Sequence, residues 1–294
     1  AMSSSTPLGT RSSPAIAAGQ PAQSSSFMRG AWRVFELSLG EMLWSRRTVF
    51  RAIVIGCPVL VAAVIRIVDS LGVVPLRING QRMDFTAIFG VMIWLLFLRF
   101  IVPVLGVFYG TALIADEVED KTITYLFTRP IRRSAVLIGK YIAYLVCTTL
   151  VVLPGVVLVY FLIVPFQQVG ASFGMLVTDL ALLAIGLAAY GGLFALVGTI
   201  MKRPLIVGLV FAFGWEQFAL IMPGYVRRFT LMYYVQSLVP HAMPAEGGVT
   251  SLLQAFFTET PSTLTCLVSL AVAIGVSLVL AGRAVEKREY VLEQ

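Results

Sequence analysis

The chain has 294 residues, of which 58% are hydrophobic and 13% are charged, and its mean hydropathy is +0.89. Soluble domains carry about 25% charged residues. These values predict a protein that crosses a membrane several times, and they exclude both a soluble enzyme with one core and a disordered chain. We interpret the net charge of +7 through the membrane, where Lys and Arg collect on the cytoplasmic side, so nucleic acid is not an expected partner.

The first 46 residues divide into two parts. Residues 1–26 are rich in Ser, Pro, Ala and Gly and predict a disordered cytoplasmic tail. Residues 27–46 place apolar side chains at helical spacing with charges between them, which predicts an amphipathic helix lying on the membrane surface. A basic cluster, Arg46, Arg47 and Arg51, then marks the entry into the bilayer.

Apolar runs of about 20 residues, long enough to cross the bilayer core, follow the surface helix. The predicted fold is an all-α polytopic domain over residues 27–285, followed by a cytoplasmic C-terminal tail over 286–294. Small residues of the fourth run, Gly186, Gly191 and Gly198 among them, favour close helix contacts. Pro103 and the Pro154–Gly155 pair are candidate kinks. The six predicted spans are 49–71, 85–113, 138–164, 175–200, 204–222 and 262–282.

Basic residues fall mostly on one side of these spans. The opposite side holds only Arg77, Arg82, Arg227 and Arg228. By the positive-inside rule, both termini are expected in the cytoplasm, with the chain in a bacterial or archaeal cytoplasmic membrane. The residues on the cytoplasmic side are Arg29, Arg33, Arg46, Arg47, Arg51, Lys121, Arg129, Arg132, Arg133, Lys140, Lys202, Arg203, Arg283, Lys287 and Arg288.

The last outer loop, 223–261, is long and contains two apolar stretches, Val226–Val239 and Val249–Thr258, divided by Pro240 and Pro244. The helical spacing of the second stretch and a candidate capping box, Ser251 with Gln254, predict two short re-entrant helices. An ordinary surface loop remains the alternative.

The segment between the second and third spans has ordered charge. Acidic residues come first, Pro130 separates two helical stretches, and Ser134 is a candidate N-cap for the third span. Two exposed helical stretches joined by a stiff break can transmit a movement of a docked partner to the two adjacent spans. A solvated linker that only obeys the positive-inside rule is the alternative. The residues expected to take part in coupling are Glu117, Glu119, Asp120, Thr122, Arg129, Pro130, Arg132, Arg133 and Lys140.

This pattern of acidic cluster, Lys-Thr, apolar run, Arg-Pro-Ile-Arg-Arg and Gly-Lys resembles the signature of ABC-2-type transporter permeases. The motif match covers about 25 positions, from Glu117 to Lys140, and the order of elements is similar over about 27–285. Lys121 before Thr122 is a mild departure, because the family usually has Gly or an acid there.

The resemblance implies a permease subunit that works with two copies of a separate ATP-binding subunit and with a second permease chain, which is expected to be identical. ATP and Mg would then be held by the ATP-binding partner, with the loop seated against it as a coupling helix. The expected role is export of an apolar or amphipathic cargo. Gly139–Lys140 is followed by Tyr141 and preceded by Ser134 where a P-loop needs its first Gly, so this chain is not expected to be an enzyme.

Two ionisable residues lie deep in the spans, Arg99 in the second and Glu216 in the fifth, at compatible depths of about 21 and 18 Å. They are expected to pair within one subunit or to line a cavity at a dimer interface; an ion pair that holds helices in register is the alternative. The aromatic residues around Glu216 suit either an apolar cargo or contact with lipid.

Other function classes find less support. With one histidine, His241, and three isolated cysteines, the sequence predicts no metal site and no disulfide framework. An intramembrane enzyme is disfavoured because HExxH, GxSxG and paired intramembrane aspartates are missing, and we predict no catalytic residues. A secondary transporter would show an inverted repeat, which is not evident. The main alternative to export is a membrane anchor or mechanical coupler of an ATPase-driven envelope machine, without bulk solute transport.

Overall fold

A computed structural model describes residues 27–43, 47–71, 77–78, 81–82, 85–119, 133–222, 225–239 and 261–287. The predicted N-terminal tail, most of the coupling segment, the second apolar stretch of the last outer loop and residues 288–294 lie outside this description. Within it the chain is helical, apart from one pairing of two-residue strands.

Eight helices account for most of the described residues, and two of them change geometry along their length. Helix α3 contains π-helical segments at Ile93–Ile101 and Gly106–Gly110, and α6 contains one at Val210–Trp215. A 3₁₀ turn, Tyr225–Phe229, precedes α7. The helices are α1 (Phe27–Leu43), α2 (Arg47–Leu71), α3 (85–119), α4 (Arg133–Ile163), α5 (Phe166–Ile200), α6 (204–221), α7 (Leu231–Ser237) and α8 (Thr263–Lys287).

Five helices among the described residues are long and apolar enough to cross a membrane, by length and composition. They are α2, α3, α4, α5 and α8. The remaining predicted span corresponds to α6, whose apolar part, Pro204–Ala219, is shorter. The prediction of an all-α, multi-pass membrane protein is therefore confirmed at this level, and the six-span arrangement stays a prediction.

Several helices extend beyond the predicted spans. Helix α5 begins at Phe166, not 175, so most of the predicted second outer loop is helical. Its first turns are joined to α4 by Tyr160, whose hydroxyl is 2.7 Å from Ser172 Oγ and donates to the Val169 carbonyl oxygen at 3.1 Å. Extended Pro165 at the N-cap position makes the sharp connection. Helix α8 continues to Lys287, so the first two residues assigned to the C-terminal tail are helical.

Helix α4 begins at Arg133, ahead of the predicted Ser134 N-cap and of the predicted span start at 138. Ser134 consequently lies inside the first turn and is not the N-cap. Its hydroxyl donates to Glu286 Oε1 at 2.7 Å, so it joins the start of α4 to the end of α8.

Strands β1 (Arg77–Ile78) and β2 (Gln81–Arg82) pair antiparallel, with Arg77 opposite Arg82. They lie between the first two predicted spans, 49–71 and 85–113. The residues between the strands, Asn79 and Gly80, are the pair that two-residue hairpin loops favour, so the signal was present in the sequence.

Helices α3 and α5 form the centre of the bundle. In the most apolar window of each span, 67% of the residues of α3 and 56% of those of α5 are buried, against 17% in α2 and 22% in α8. A methyl group on Gly106 of α3 would lie 2.7 Å from Tyr190 Cβ, and one on Gly110 would lie 3.1 Å from the Gly191 carbonyl oxygen. Close approach at the small residues of the fourth predicted span is therefore confirmed.

Candidate functional site

The ends of α3, α4 and α8 meet where the predicted coupling segment leaves and re-enters the described chain. Ile114, Leu137, Ala281 and Val285 are fully or almost fully buried against one another, with Leu196 of α5 packed beside them. We call this cluster, with the Ser134–Glu286 hydrogen bond, the flank junction. Both flanks of the segment therefore pack with α8 in one apolar cluster.

The surface helix α1 is fixed to the same region of α4. Ala31, Val34 and Ser38 of α1 are buried, and a methyl group on Gly139 would lie 2.5 Å from the Ala31 carbonyl oxygen. Only glycine allows the two backbones to come this close. Met28 and Trp32 of the same helix remain 74% and 59% exposed.

Arg51 connects four helices and was not singled out as functional by the sequence analysis. It is 1% exposed, donates hydrogen bonds to the Cys147 sulfur of α4 and to the Met42 carbonyl oxygen near the end of α1, and lies 4.5 Å from the centre of the Tyr109 ring of α3. A cation is favourable there because the last carbonyl groups of a helix lack partners within it. In the sequence, Arg51 is one of three basic residues at a membrane boundary. Its burial could not be predicted there because it depends on tertiary structure.

The predicted coupling residues are only partly described. Glu117 and Glu119 lie in the last turn of α3, whose backbone alone is described, and Arg133 is the first residue of α4. Lys140 is 8% exposed, so any coupling role would act through packing within the chain. Gly139 and Lys140 lie inside a continuous helix, which is not the geometry of a phosphate-binding loop. The coupling residues outside the description are Asp120, Thr122, Arg129, Pro130 and Arg132.

The two deep charges have different partners. Glu216 is 0% exposed; its carboxyl group accepts hydrogen bonds from the Tyr190 hydroxyl of α5 and, at 3.2 Å, from the Leu231 N–H at the start of α7. Arg99 Nε donates to Gln217 Oε1 at 2.7 Å. The described contacts therefore do not join Arg99 to Glu216, and the predicted pair within one subunit is not formed in this structure.

Arg99, Tyr190, Glu216, Gln217 and the Leu231 N–H form what we call the polar layer. Both of its ionisable residues lie beside altered helix geometry, since Arg99 is within the first π-helical segment of α3 and Glu216 follows that of α6. Pro103 explains the first case, because it has no N–H to donate to the Arg99 carbonyl oxygen and its ring crowds that group. π-Helical turns are frequent at functional sites.

Glu216 also explains how α7 is held. Thr230, Met232 and Val235 are almost fully buried, so this short helix packs into the bundle instead of lying on a solvated surface. The prediction of a short helix in the first apolar stretch of the last outer loop is confirmed over Leu231–Ser237. The sequence contained no signal for its contact with Glu216, which is 15 residues away.

Metal binding finds no support in the described part of the chain, which has no group of three or more His, Cys, Asp or Glu side chains placed to hold an ion. The arrangement instead combines apolar spanning helices, a segment whose flanks are both anchored, and a polar layer that contains Arg99 and Glu216. These features define a multi-pass helical membrane protein in which the ends of α3, α4 and α8 are packed together. A family model described as ABC-2 family transporter protein matches residues 11–284, and the chain belongs to this family.

No curated protein matches the chain. Family membership makes the protein a membrane permease component of an ABC transporter, and it implies partnership with an ATP-binding subunit. The resemblance found in the loop motif is thereby confirmed.

Proposed function

We propose that the chain is the permease of an exporter in which two ATP-binding subunits drive a pair of identical permease chains. ATP and Mg are held by the ATP-binding subunits. The cargo is apolar or amphipathic, and six spans place both termini on the cytoplasmic side. Residues 117–133 dock on the ATP-binding subunit as a coupling helix.

The observation that supports this proposal best is the flank junction. A movement of the coupling segment acts first on α3 and α4, whose ends are packed with α8. Gly139 and Arg51 link the same movement to α1 and α2. Since packed helices transmit displacement with little compression, a push at the segment would move a large part of the bundle together.

The exposed side of α1 supports its position at the membrane surface. Met28, Trp32 and Leu37 are exposed apolar side chains on this helix, while Arg29 and Arg33 are also exposed. A helix with this composition gains free energy by burying the apolar groups among lipid headgroups while its charges face water and phosphate.

The test is purification of the full-length tagged chain from its host in mild detergent. We expect an ATP-binding subunit at equal stoichiometry, and we expect it to be lost from the double variant Arg132→Glu, Arg133→Glu. The matched control is Lys202→Glu, Arg203→Glu, because this exposed basic pair lies between α5 and α6, on the same predicted side.

Retention of the ATP-binding subunit by the control and its loss from the loop variant support the coupling surface. Equal loss from both variants would mean that positive charge alone attracts the partner. Absence of any ATP-binding subunit, under conditions that preserve other ABC complexes, would contradict the proposal.

A further inference from the structure

Arg99 lies in the middle of a membrane-spanning helix. The described partners of its side chain are neutral. Its Nε donates to the Gln217 amide oxygen, and its guanidinium carbon is 5.2 Å from the centre of the Trp94 ring. Neither partner carries a negative charge. Because a charged side chain within the bilayer is costly unless it meets an opposite charge or water, an anion would stabilise this arrangement.

The depth of Arg99 limits where such an anion comes from. The apolar part of α3 runs from Phe85 to Ala115, so Arg99 is about 21 Å from one end and about 24 Å from the other at ~1.5 Å per residue. The edge of the hydrocarbon core lies about 15 Å from its middle, and lipid phosphates lie farther out. A guanidinium near the middle therefore meets an anionic group only if that group moves into the core beside the protein.

A second polar donor lies next to Arg99. The indole N–H of Trp94 is buried and has no hydrogen-bond partner among the described residues. Buried indole N–H groups usually have a partner, so this donor is available to an acceptor placed near the guanidinium.

The surroundings are aromatic and accessible from outside the bundle. Phe100 and Phe213 are 50% and 38% exposed, and their ring centres are 5.9 Å apart across the contact between α3 and α6. Phe213 is four residues before Gln217 on α6, so the aromatic pair and the Arg99–Gln217 contact follow one another along the same two helices. An apolar chain lying along this line would reach the rings while its charged end reached Arg99.

We propose that Arg99, with the Trp94 indole N–H and the Gln217 amide, binds the anionic end of an amphipathic molecule, a carboxylate or phosphate on an apolar body. This assignment rests on the proposed export function and specifies the cargo class that the permease moves. The Phe100–Phe213 pair contacts the apolar body.

The experiment measures quenching of Trp94 fluorescence by 9,10-dibromostearate, with its methyl ester as the uncharged probe. The chain has four tryptophans. Replacing Trp32, Trp44 and Trp215 by Phe leaves Trp94 as the only reporter. The full-length chain is measured in phosphatidylcholine nanodiscs, without an ATP-binding subunit.

We expect saturable quenching by the acid and only weak, unsaturable quenching by the ester. Arg99→Gln should raise the half-saturating concentration of the acid about tenfold or more, because a charged hydrogen bond is lost. Arg99→Lys should retain part of the affinity, since it keeps the charge without the planar fork. The matched control is Arg66→Gln, another arginine beside an aromatic ring in a spanning helix, and it should leave quenching unchanged.

Equal quenching by acid and ester would overturn the proposal, as would unchanged affinity in Arg99→Gln. The comparison of acid with ester needs no variant at Arg99, so it decides the question even if that variant misfolds. The anionic group could belong to a bilayer lipid or to a separate amphiphile, and adding phosphatidic acid to the nanodiscs distinguishes these two sources. Competition with dibromostearate means that a bilayer lipid reaches Arg99, and lack of competition means that the site takes a separate amphiphile; either result requires the anion site.

The two proposals fail in different ways. Loss of the anion site leaves the purified complex with the ATP-binding subunit unaffected. Conversely, if no ATP-binding subunit is found but Arg99-dependent quenching persists, the anion site stands and the export function is wrong.

Discussion

The flank junction and the polar layer are stabilised by different kinds of contact. The junction depends on apolar burial and on backbones in close approach, with Ile114, Leu137, Ala281 and Val285 at 0 or 1% exposure. The polar layer depends on hydrogen bonds of a few side chains that come from α3, α5 and α6. Dense apolar packing resists displacement, whereas a few hydrogen bonds can exchange partners. The two proposals follow this difference: the junction is proposed to transmit movement, and the polar layer is proposed to accept a ligand.

The largest effect is expected from removing the hydrogen-bonding capacity of Glu216. Glu216→Leu leaves the Tyr190 hydroxyl and the Leu231 N–H buried without an acceptor, which costs about 1–3 kcal/mol for each group. Glu216→Gln keeps the shape and a polar partner for both, so it should stay close to the parent. The measurement is the thermal midpoint in detergent, with hydrogen exchange of the α7 amides. Equal stability of both variants would contradict a structural connection through this side chain.

Arg51→Met tests whether α1 is held by one buried cation. The loss of its charged hydrogen bonds should cost about 1.5–3 kcal/mol and should increase amide exchange throughout α1. Arg33→Met is the matched control, because Arg33 is exposed on α1. If the α1 amides remained protected in Arg51→Met, packing at Gly139 alone would be sufficient to hold α1. Arg51 would then not be needed to fix α1 to the bundle.

Two glycine variants should change stability in opposite directions. Gly139→Ala introduces a methyl group against the backbone of α1, and overpacking of this kind costs about 1–3 kcal/mol. Gly40→Ala faces open space, so it should stabilise helix α1 by about 0.5–1 kcal/mol. Thermal midpoints of the two variants, measured side by side, give the sign of each stability change. A stabilised Gly139→Ala would mean that α1 and α4 can separate without cost.

The smallest effect belongs to the Ser134–Glu286 hydrogen bond. Both side chains are partly exposed, so Ser134→Ala should cost at most about 0.5–1 kcal/mol. A double-mutant cycle with Glu286→Gln measures the coupling directly. A coupling energy well above this value would show that the junction depends on polar contacts more than its apolar cluster suggests.

The sequence predicted the helices better than their ends or contacts. Hydrophobic runs long enough to span a bilayer identified the spans, and α2 and α3 begin within two residues of the prediction. Helix α5 was started nine residues late because Gln, Ser and Gly near its beginning suggested a loop. Ser172 among them lies 2.7 Å from the Tyr160 hydroxyl of α4, a contact that periodicity in one segment cannot reveal.

The candidate site was predicted in part. The sequence identified Arg99 and Glu216 as unusual because charges in apolar runs are rare and costly. The sequence analysis predicted that they pair with each other, because the depth of a residue along its helix was the only position that the sequence could give. The rotation of each helix, with the position of α7, decides that Glu216 meets Tyr190 and Leu231 and that Arg99 meets Gln217.

The sequence alone determined the class of this protein. Composition required a membrane, the lengths of the apolar runs required spanning helices, and the ordered charges between the second and third spans indicated the ABC-2 family. Only the tertiary structure decided which buried charges have partners. The contacts of Arg51, Glu216 and Arg99 join residues far apart in the chain, and such contacts depend on how helices pack against one another. Local patterns set each helix, but helix packing sets the environment of every charge inside the bundle.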